Sequence, residues 1–70
     1  MENTNLQERF LSAILTKRIP ATFYLINGFQ MKGIVTAFDS YTVMLESNGS
    51  EQLLFKHAIS TISPWQPIKI

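Results

Sequence analysis

The spacing of apolar residues along this chain changes once, near Pro20. Before it, Leu6, Phe10, Ala13 and Ile14 recur at helical spacing and line one face, and Leu11 and Leu15 widen the stripe. Gln7, Arg9, Ser12 and Thr16 are left for the other sides, so a helix is predicted over residues 5–17. Asn5 with Glu8 three residues on makes a box-like N-terminal cap, and Thr4 with Gln7 is an equally legal alternative. Lys17 and Arg18 fall where cations favour the C-terminal end of the helix dipole. Pro20 then stops the helix and restrains Ile19.

After Pro20 the pattern shortens to that of strands. Residues 21–26 form a β-branched and aromatic run, closed by Asn27-Gly28, a strong hairpin signal. Residues 29–38 read as a longer strand with Gly33 inside it, and an interior glycine marks a sharp bend or a close backbone approach. Asp39-Ser40 is a turn. Residues 41–47 give a third strand with Tyr41, Val43 and Leu45 on one face. Asn48-Gly49-Ser50 is a second tight turn, residues 52–55 a fourth strand, and residues 59–63 a fifth. Lys56-His57-Ala58 has room for a turn or a single helical twist, and Pro64 and Pro67 mark an irregular tail over 65–70. One helix followed by five short strands predicts a mainly β chain with one N-terminal α-helix. Its strands are expected to form a small, strongly bent, five-stranded antiparallel barrel within residues 1–64.

Phe23-Tyr24-Leu25-Ile26 and Leu53-Leu54-Phe55 are apolar on both strand faces, whereas a strand with one wet face alternates. The second face must be covered by the helix or by another subunit. Seventy residues make one domain at most, and a chain of this size buries only about 60% of its unfolded surface. With no Cys there is no disulfide and no thiolate metal site, and a single His rules out a multi-histidine site within one chain. No cofactor is implied. A hydrophobic content of 46% in so short a chain points instead to apolar surface buried between subunits. A closed ring would also pair the exposed strand edges.

No apolar run approaches the ~18 residues of a membrane span, and the polar start is unlike a signal peptide, so a cytoplasmic protein is expected. A net charge of +1 says nothing about nucleic acid in bulk. Anion binding would depend on where Arg9, Lys17, Arg18, Lys32, Lys56 and Lys69 are placed.

Two segments resemble a known family. Lys56-His-Ala-Ile-Ser-Thr61 is similar to the signature hexapeptide of the bacterial Sm-like RNA chaperones of the Hfq family, and Asn27-Gly-Phe-Gln-Met-Lys-Gly33 resembles that family's first hairpin. Leu6-Gln7, Phe10-Leu11 and Phe38-Asp39-x-Tyr41 fall at the matching spacing, so the resemblance runs from about Asn5 to Pro64. It implies an Sm-like barrel that assembles into a homohexameric ring. The ring would bind single-stranded RNA, namely small regulatory RNAs and messages, in post-transcriptional and stress regulation.

The resemblance implies three RNA-binding surfaces. Gln7, Ser40, Tyr41, Lys56 and His57 would hold uridine-rich RNA at the pore, on the proximal face. The chemistry fits: an aromatic plane, an amide for a base edge, and donors for ribose and phosphate. Ser40 departs from the family, whose members often carry a longer polar side chain there. Tyr24, Leu25, Asn27, Gly28, Phe29, Gln30, Met31 and Lys32, with Gln52, Ser60 and Thr61, would hold adenine- or purine-rich RNA on the distal face. Phe29-Gln-Met-Lys32 resembles the Gram-positive version. Tyr24, Leu25 and Met31 also have an ordinary explanation as core residues. The rim keeps Lys17 and Arg18, while Leu15 and Thr16 stand where annealing-active members carry basic residues, so weak annealing is expected.

No nucleophile–base spacing supports catalysis, so the chain reads as a non-enzyme. The alternative within reach of the residues is a barrel or Sm-like ring that serves as a protein-interaction or assembly module without an RNA chaperone role.

Overall fold

The computed structural model describes residues 6–69. They form helix α1 (Leu6–Lys17), strands β1 (Ala21–Leu25), β2 (Gln30–Phe38), β3 (Thr42–Ser47) and β4 (Ser50–Phe55), a single 3-10 turn over Lys56–Ala58, and strand β5 (Ile59–Pro64). The helix cap expected at Asn5 or Thr4 lies outside the described residues.

All five strands pair antiparallel in one sheet of order β4-β3-β2-β1-β5. Strand β2 is shared between its two halves. Residues Gln30 to Gly33 pair with β1, and Ile34 to Phe38 with β3. The change of partner falls at Gly33, where an added Cβ would collide with the backbone oxygen of Glu46 and lie 2.8 Å from Leu45 Cδ1. Only a residue without a side chain lets β3 approach that closely, so the glycine sets the bend. Register shifts between Val35 and Ala37 and between Tyr24 and Leu25 add local twist to the curled sheet.

The core sits inside the curl. Leu11, Ile14, Ile19, Ala21, Phe23, Val35, Val43, Leu45 and Leu54 are buried, with Phe10, Leu15, Leu25, Met31 and Ile68 packed around them. The helix lies against β2. The face it buries is centred on Leu11 and Ile14, whereas Leu6, expected on that face, remains 61% exposed. The first turn therefore projects beyond the core.

The two Asn-Gly turns differ. Asn48 and Gly49 both adopt positive φ, the two-residue hairpin conformation. At the first hairpin only Gly28 does so. Its N–H bonds Leu25 O at 3.0 Å, which leaves a three-residue loop, and Asn27 Oδ1 accepts from Phe29 N at 3.0 Å.

The helix ends in a Schellman motif. Ile19 N donates to Ile14 O at 3.0 Å and Arg18 N to Leu15 O at 3.2 Å, with Arg18 at φ 53 in the position usually held by glycine. A side chain in this left-handed region costs roughly 1–2 kcal/mol. Arg18→Gly is therefore expected to raise stability by about 0.5–1 kcal/mol, read as a higher denaturation midpoint at fixed protein concentration. A lowered midpoint would mean that Arg18 contributes more through its charge than its backbone loses.

The tail is tied to the body. Trp65 N donates to Pro20 O at 2.9 Å, and Trp65 Nε1 donates to Thr22 Oγ1 at 3.1 Å. Thr22 is the buried polar residue of the core region, and this bond satisfies its hydroxyl oxygen.

Candidate RNA-binding surfaces

Tyr41 was expected to share a strand face with Val43 and Leu45. Those two are fully buried, but Tyr41 stands before β3 and is 78% exposed. Asp39 explains the difference. Its Oδ1 accepts from Tyr41 N at 2.8 Å, Thr42 N at 2.7 Å and Thr42 Oγ1 at 2.8 Å, a turn that holds Tyr41 outside the ladder. The bond from the Tyr41 amide, followed by those from Thr42, holds the Asp39 carboxyl below its ordinary pKa. Its contribution is thus complete above the ordinary carboxylate range and fades as pH falls through the lowered value.

Tyr41 O accepts from Lys56 N at 2.8 Å, which joins the Asp39 turn to the 3-10 turn after β4. Lys56 Nζ lies 5.5 Å from the centre of the Phe38 ring, and His57 stacks on Phe55 at 5.8 Å between ring centres. Lys56 also meets Gln7 in an open cavity of about 390 Å³ between the first turn of α1 and β5, lined too by Leu6, Phe10, Ser60 and Thr61. Of the proximal set, the chain therefore brings together Gln7, Tyr41 and Lys56, with His57 and the exposed Ser40 as their neighbours in sequence.

The first hairpin gathers most of the second set. Tyr24 faces Gln30 across β1 and β2, and Thr61 across β1 and β5. Ser60 Oγ donates to Tyr24 O at 3.1 Å. Phe29, at 69% exposed, and Ile26, at 68%, stand out from the hairpin, and Asn27, Gly28 and Lys32 are exposed as well. Leu25 and Met31 are half-buried and pack against the core. Gln52 is not brought to the hairpin within one chain. It lies on β4, three strands from β1, opposite Leu45. Ser60 and Thr61 bridge the two sets, because both also line the cavity that holds Gln7 and Lys56. Ile26 was passed over in the sequence, where it read as an interior strand residue.

At the helix end, Lys17 and Arg18 are exposed, and Leu15 is half-buried and packs against the core. No group of three or more metal-ligating side chains occurs among the described residues. No helix among them is long and apolar enough to cross a membrane.

A curled five-stranded antiparallel sheet capped by an N-terminal helix, with exposed aromatics at two separate turns, defines a small Sm-like barrel. The comparisons with known proteins narrow the class. The family model described as Hfq protein matches residues 6–69, and this chain belongs to the Hfq family. It is 58% identical over 64 residues to RNA-binding protein Hfq of Clostridium perfringens (strain SM101 / Type A), spanning 91% of this chain and 80% of the relative. It is 55% identical, with the same coverage, to RNA-binding protein Hfq of Desulforamulus reducens. Among solved structures, the 1.55 Å crystal structure of the pleiotropic translational regulator Hfq superposes with a TM-score of 0.82 at 41% identity, covering 84% of this chain and 98% of that one. An Hfq protein from Anabaena sp. shares the fold, with a TM-score of 0.79 at 21% identity, over 87% of this chain and 98% of that one. The relatives are named for binding RNA and not for a reaction, in agreement with the non-enzyme reading.

Proposed function

We propose that this chain forms a closed homohexameric ring that binds single-stranded RNA and acts in the cytoplasm as an RNA chaperone for small regulatory RNAs and messages. Residues 1–64 form the ring-building Sm-like domain. The observation that carries the RNA reading is that Gln7 and Lys56 line one cavity while the Lys56 backbone is bonded to that of Tyr41, whose side chain is exposed. An aromatic plane, a side-chain amide and a cation at one place suit a stacked base with its phosphate. The family name of the relatives supports the same ligand.

The ring reading rests on the sheet edges. Strands β4 and β5 end the sheet order on opposite sides, and Leu53 and Phe55 on β4 are each more than half exposed. Two unlike edges on one chain pair head to tail, and such contacts form a ring where the rotation between neighbours closes. In that arrangement Gln52 on β4 of one copy stands on the strand beside Ser60 and Thr61 on β5 of the next, which completes the distal set. Uridine-rich RNA then occupies the face with Gln7, Ser40, Tyr41, Lys56 and His57. Adenine- or purine-rich RNA occupies the face with Tyr24, Leu25, Asn27, Gly28, Phe29, Gln30, Met31, Lys32, Gln52, Ser60 and Thr61. Lys17 and Arg18 stand at the rim, and annealing of two RNAs is weak.

Native mass spectrometry with and without short oligouridine tests both halves. A single ring species that takes up the RNA is expected, with no folded monomer at micromolar concentration. A compact folded species near 8.0 kDa that ignores RNA would favour a protein-assembly module instead.

A further inference from the structure

Two of the asparagines precede a glycine, in Asn27-Gly28 and Asn48-Gly49, and both pairs sit in exposed turns. A glycine nitrogen is the least hindered backbone nucleophile toward the side-chain amide before it. Both glycines here have open space, since nothing lies within 4 Å of a Cβ added at either. The two pairs differ in what holds them. Asn27 Oδ1 accepts from Phe29 N at 3.0 Å and Gly28 N donates to Leu25 O at 3.0 Å, so the side chain is fixed and the attacking nitrogen is tied down. Among the described residues no hydrogen bond engages the Asn48 side chain or Gly49 N. Their turn is closed by the pairing of Ser47 with Ser50 at the start of β4, the last strand in the sheet order. Such a hairpin end opens at little cost.

We infer that Asn48-Gly49 is a site of spontaneous covalent modification, where water converts Asn48 to aspartate and isoaspartate, and that the hydrogen bonds of the first hairpin protect Asn27 from the same change. The Gly49 nitrogen gives up its proton and attacks Asn48 Cγ. The N–Cγ bond forms, the Cγ–Nδ2 bond breaks, and Nδ2 leaves as ammonia with that proton. Water then opens the cyclic imide. Cleavage at Cγ restores the main chain and leaves an aspartate. Cleavage at the Asn48 backbone carbonyl carbon leaves an isoaspartate, with one extra carbon in the main chain. One water is consumed and one ammonia released, with no oxidation or reduction.

Either product carries a carboxylate, so each event lowers the chain's net charge of +1 by one unit. The new charge stands two residues beyond Glu46, which already faces Glu51 across β3 and β4. Like charges on neighbouring strands weaken their pairing. The start of β4 therefore loosens as the protein ages, and β4 is one of the edges that the ring reading uses. The modification itself does not depend on that reading.

The test is peptide-resolved mass spectrometry of the full chain during incubation in mildly alkaline buffer, folded and in urea. In the folded protein the Asn48 peptide should exchange the mass of NH for that of O and split into two chromatographic forms. It should do so roughly 5- to 30-fold faster than the Asn27 peptide, where one or both hydrogen bonds must break first. In urea the two peptides should convert at similar rates. Asn48→Gln, whose amide carbon stands one bond further from the Gly49 nitrogen, should remove the fast phase. Asn48→Asp keeps a turn-forming residue and adds only the charge, so it should lower the denaturation midpoint at low salt and recover it at high salt. No conversion of Asn48 in the folded protein, over the time in which the urea-unfolded chain converts, would overturn the site. Equal rates at Asn27 and Asn48 in the folded protein would overturn the protection by the first hairpin. A fast phase that persists in Asn48→Gln would place the change at another residue and overturn the assignment. A midpoint unmoved in Asn48→Asp would overturn the loosening of β4.

Discussion

Tyr41→Ala is expected to weaken binding of a short oligouridine by roughly 5- to 150-fold while leaving oligoadenine or purine-rich RNA nearly unchanged, since stacking on an aromatic ring is worth about 1–3 kcal/mol per base. Phe29→Ala should do the reverse. Both rings are more than two-thirds exposed, so truncating either removes little packing from the folded chain. They also sit on different supports. Tyr41 is held by the Asp39 turn and joined to Lys56, whereas Phe29 rides the first hairpin, where its amide bonds Asn27 Oδ1. Lys56→Ala should weaken oligouridine binding and flatten its salt dependence by about 0.7 for each phosphate left without its cation. Fluorescence anisotropy with both RNAs against all three variants, each confirmed as an intact ring, decides the matter. If Tyr41→Ala and Phe29→Ala reduce both RNAs equally, the two surfaces are not separate sites.

The elements of this fold were legible because each carries a local signal. Helix α1 follows from its apolar spacing and from Pro20, and the strand runs are punctuated by Asn27-Gly28, Asp39-Ser40 and Asn48-Gly49. Gly33 read as a sharp bend or a close backbone approach, and the fold brings the Glu46 backbone against it. What periodicity misjudged depends on contacts between distant residues. Tyr41 matches the alternation of Val43 and Leu45, and only the Asp39 carboxylate, bonded to two successive amides, takes it out of the ladder. Leu15 only widened the helical stripe in the sequence, yet it packs on the core, whereas Leu6 on the same stripe stays exposed. Trp65 had no account in the sequence because its partner, Thr22, lies at the other end of the sheet-forming segment. The candidate site divides in the same way. The residue types at the first hairpin and in Lys56-His57 were visible in the sequence, but the meeting of Gln7 with Lys56 required the fold.

Gly33→Ala is expected to be damaging out of proportion to the single methyl group it adds. Its methyl group would overlap the backbone oxygen of Glu46, lie 2.8 Å from Leu45 Cδ1 and come within 3.1 Å of the Glu46 carbonyl carbon. A flexible side-chain tip can move aside, but a carbonyl in the β2–β3 ladder cannot, because Ile34 is the register partner of Glu46 there. Relief requires β2 and β3 to separate where the sheet turns from one half to the other. Overpacking of this kind typically costs about 1–3 kcal/mol, and for a domain of this size each kcal/mol lowers Tm by roughly 4–8 °C. A fall of roughly 4–24 °C at fixed protein concentration is therefore expected. Binding to both RNAs should be lost together, because both faces and both sheet edges depend on the same bend. Gly49→Ala is the matched control. Nothing lies within 4 Å of its added Cβ, and its cost comes only from the φ of 82°. That variant should lose roughly 1–2 kcal/mol and keep the selectivity of each face for its RNA. If Gly33→Ala melts within a few degrees of wild type, the close approach at Glu46 does not set the curvature. The register shift between Val35 and Ala37 would then be the feature that bends the sheet.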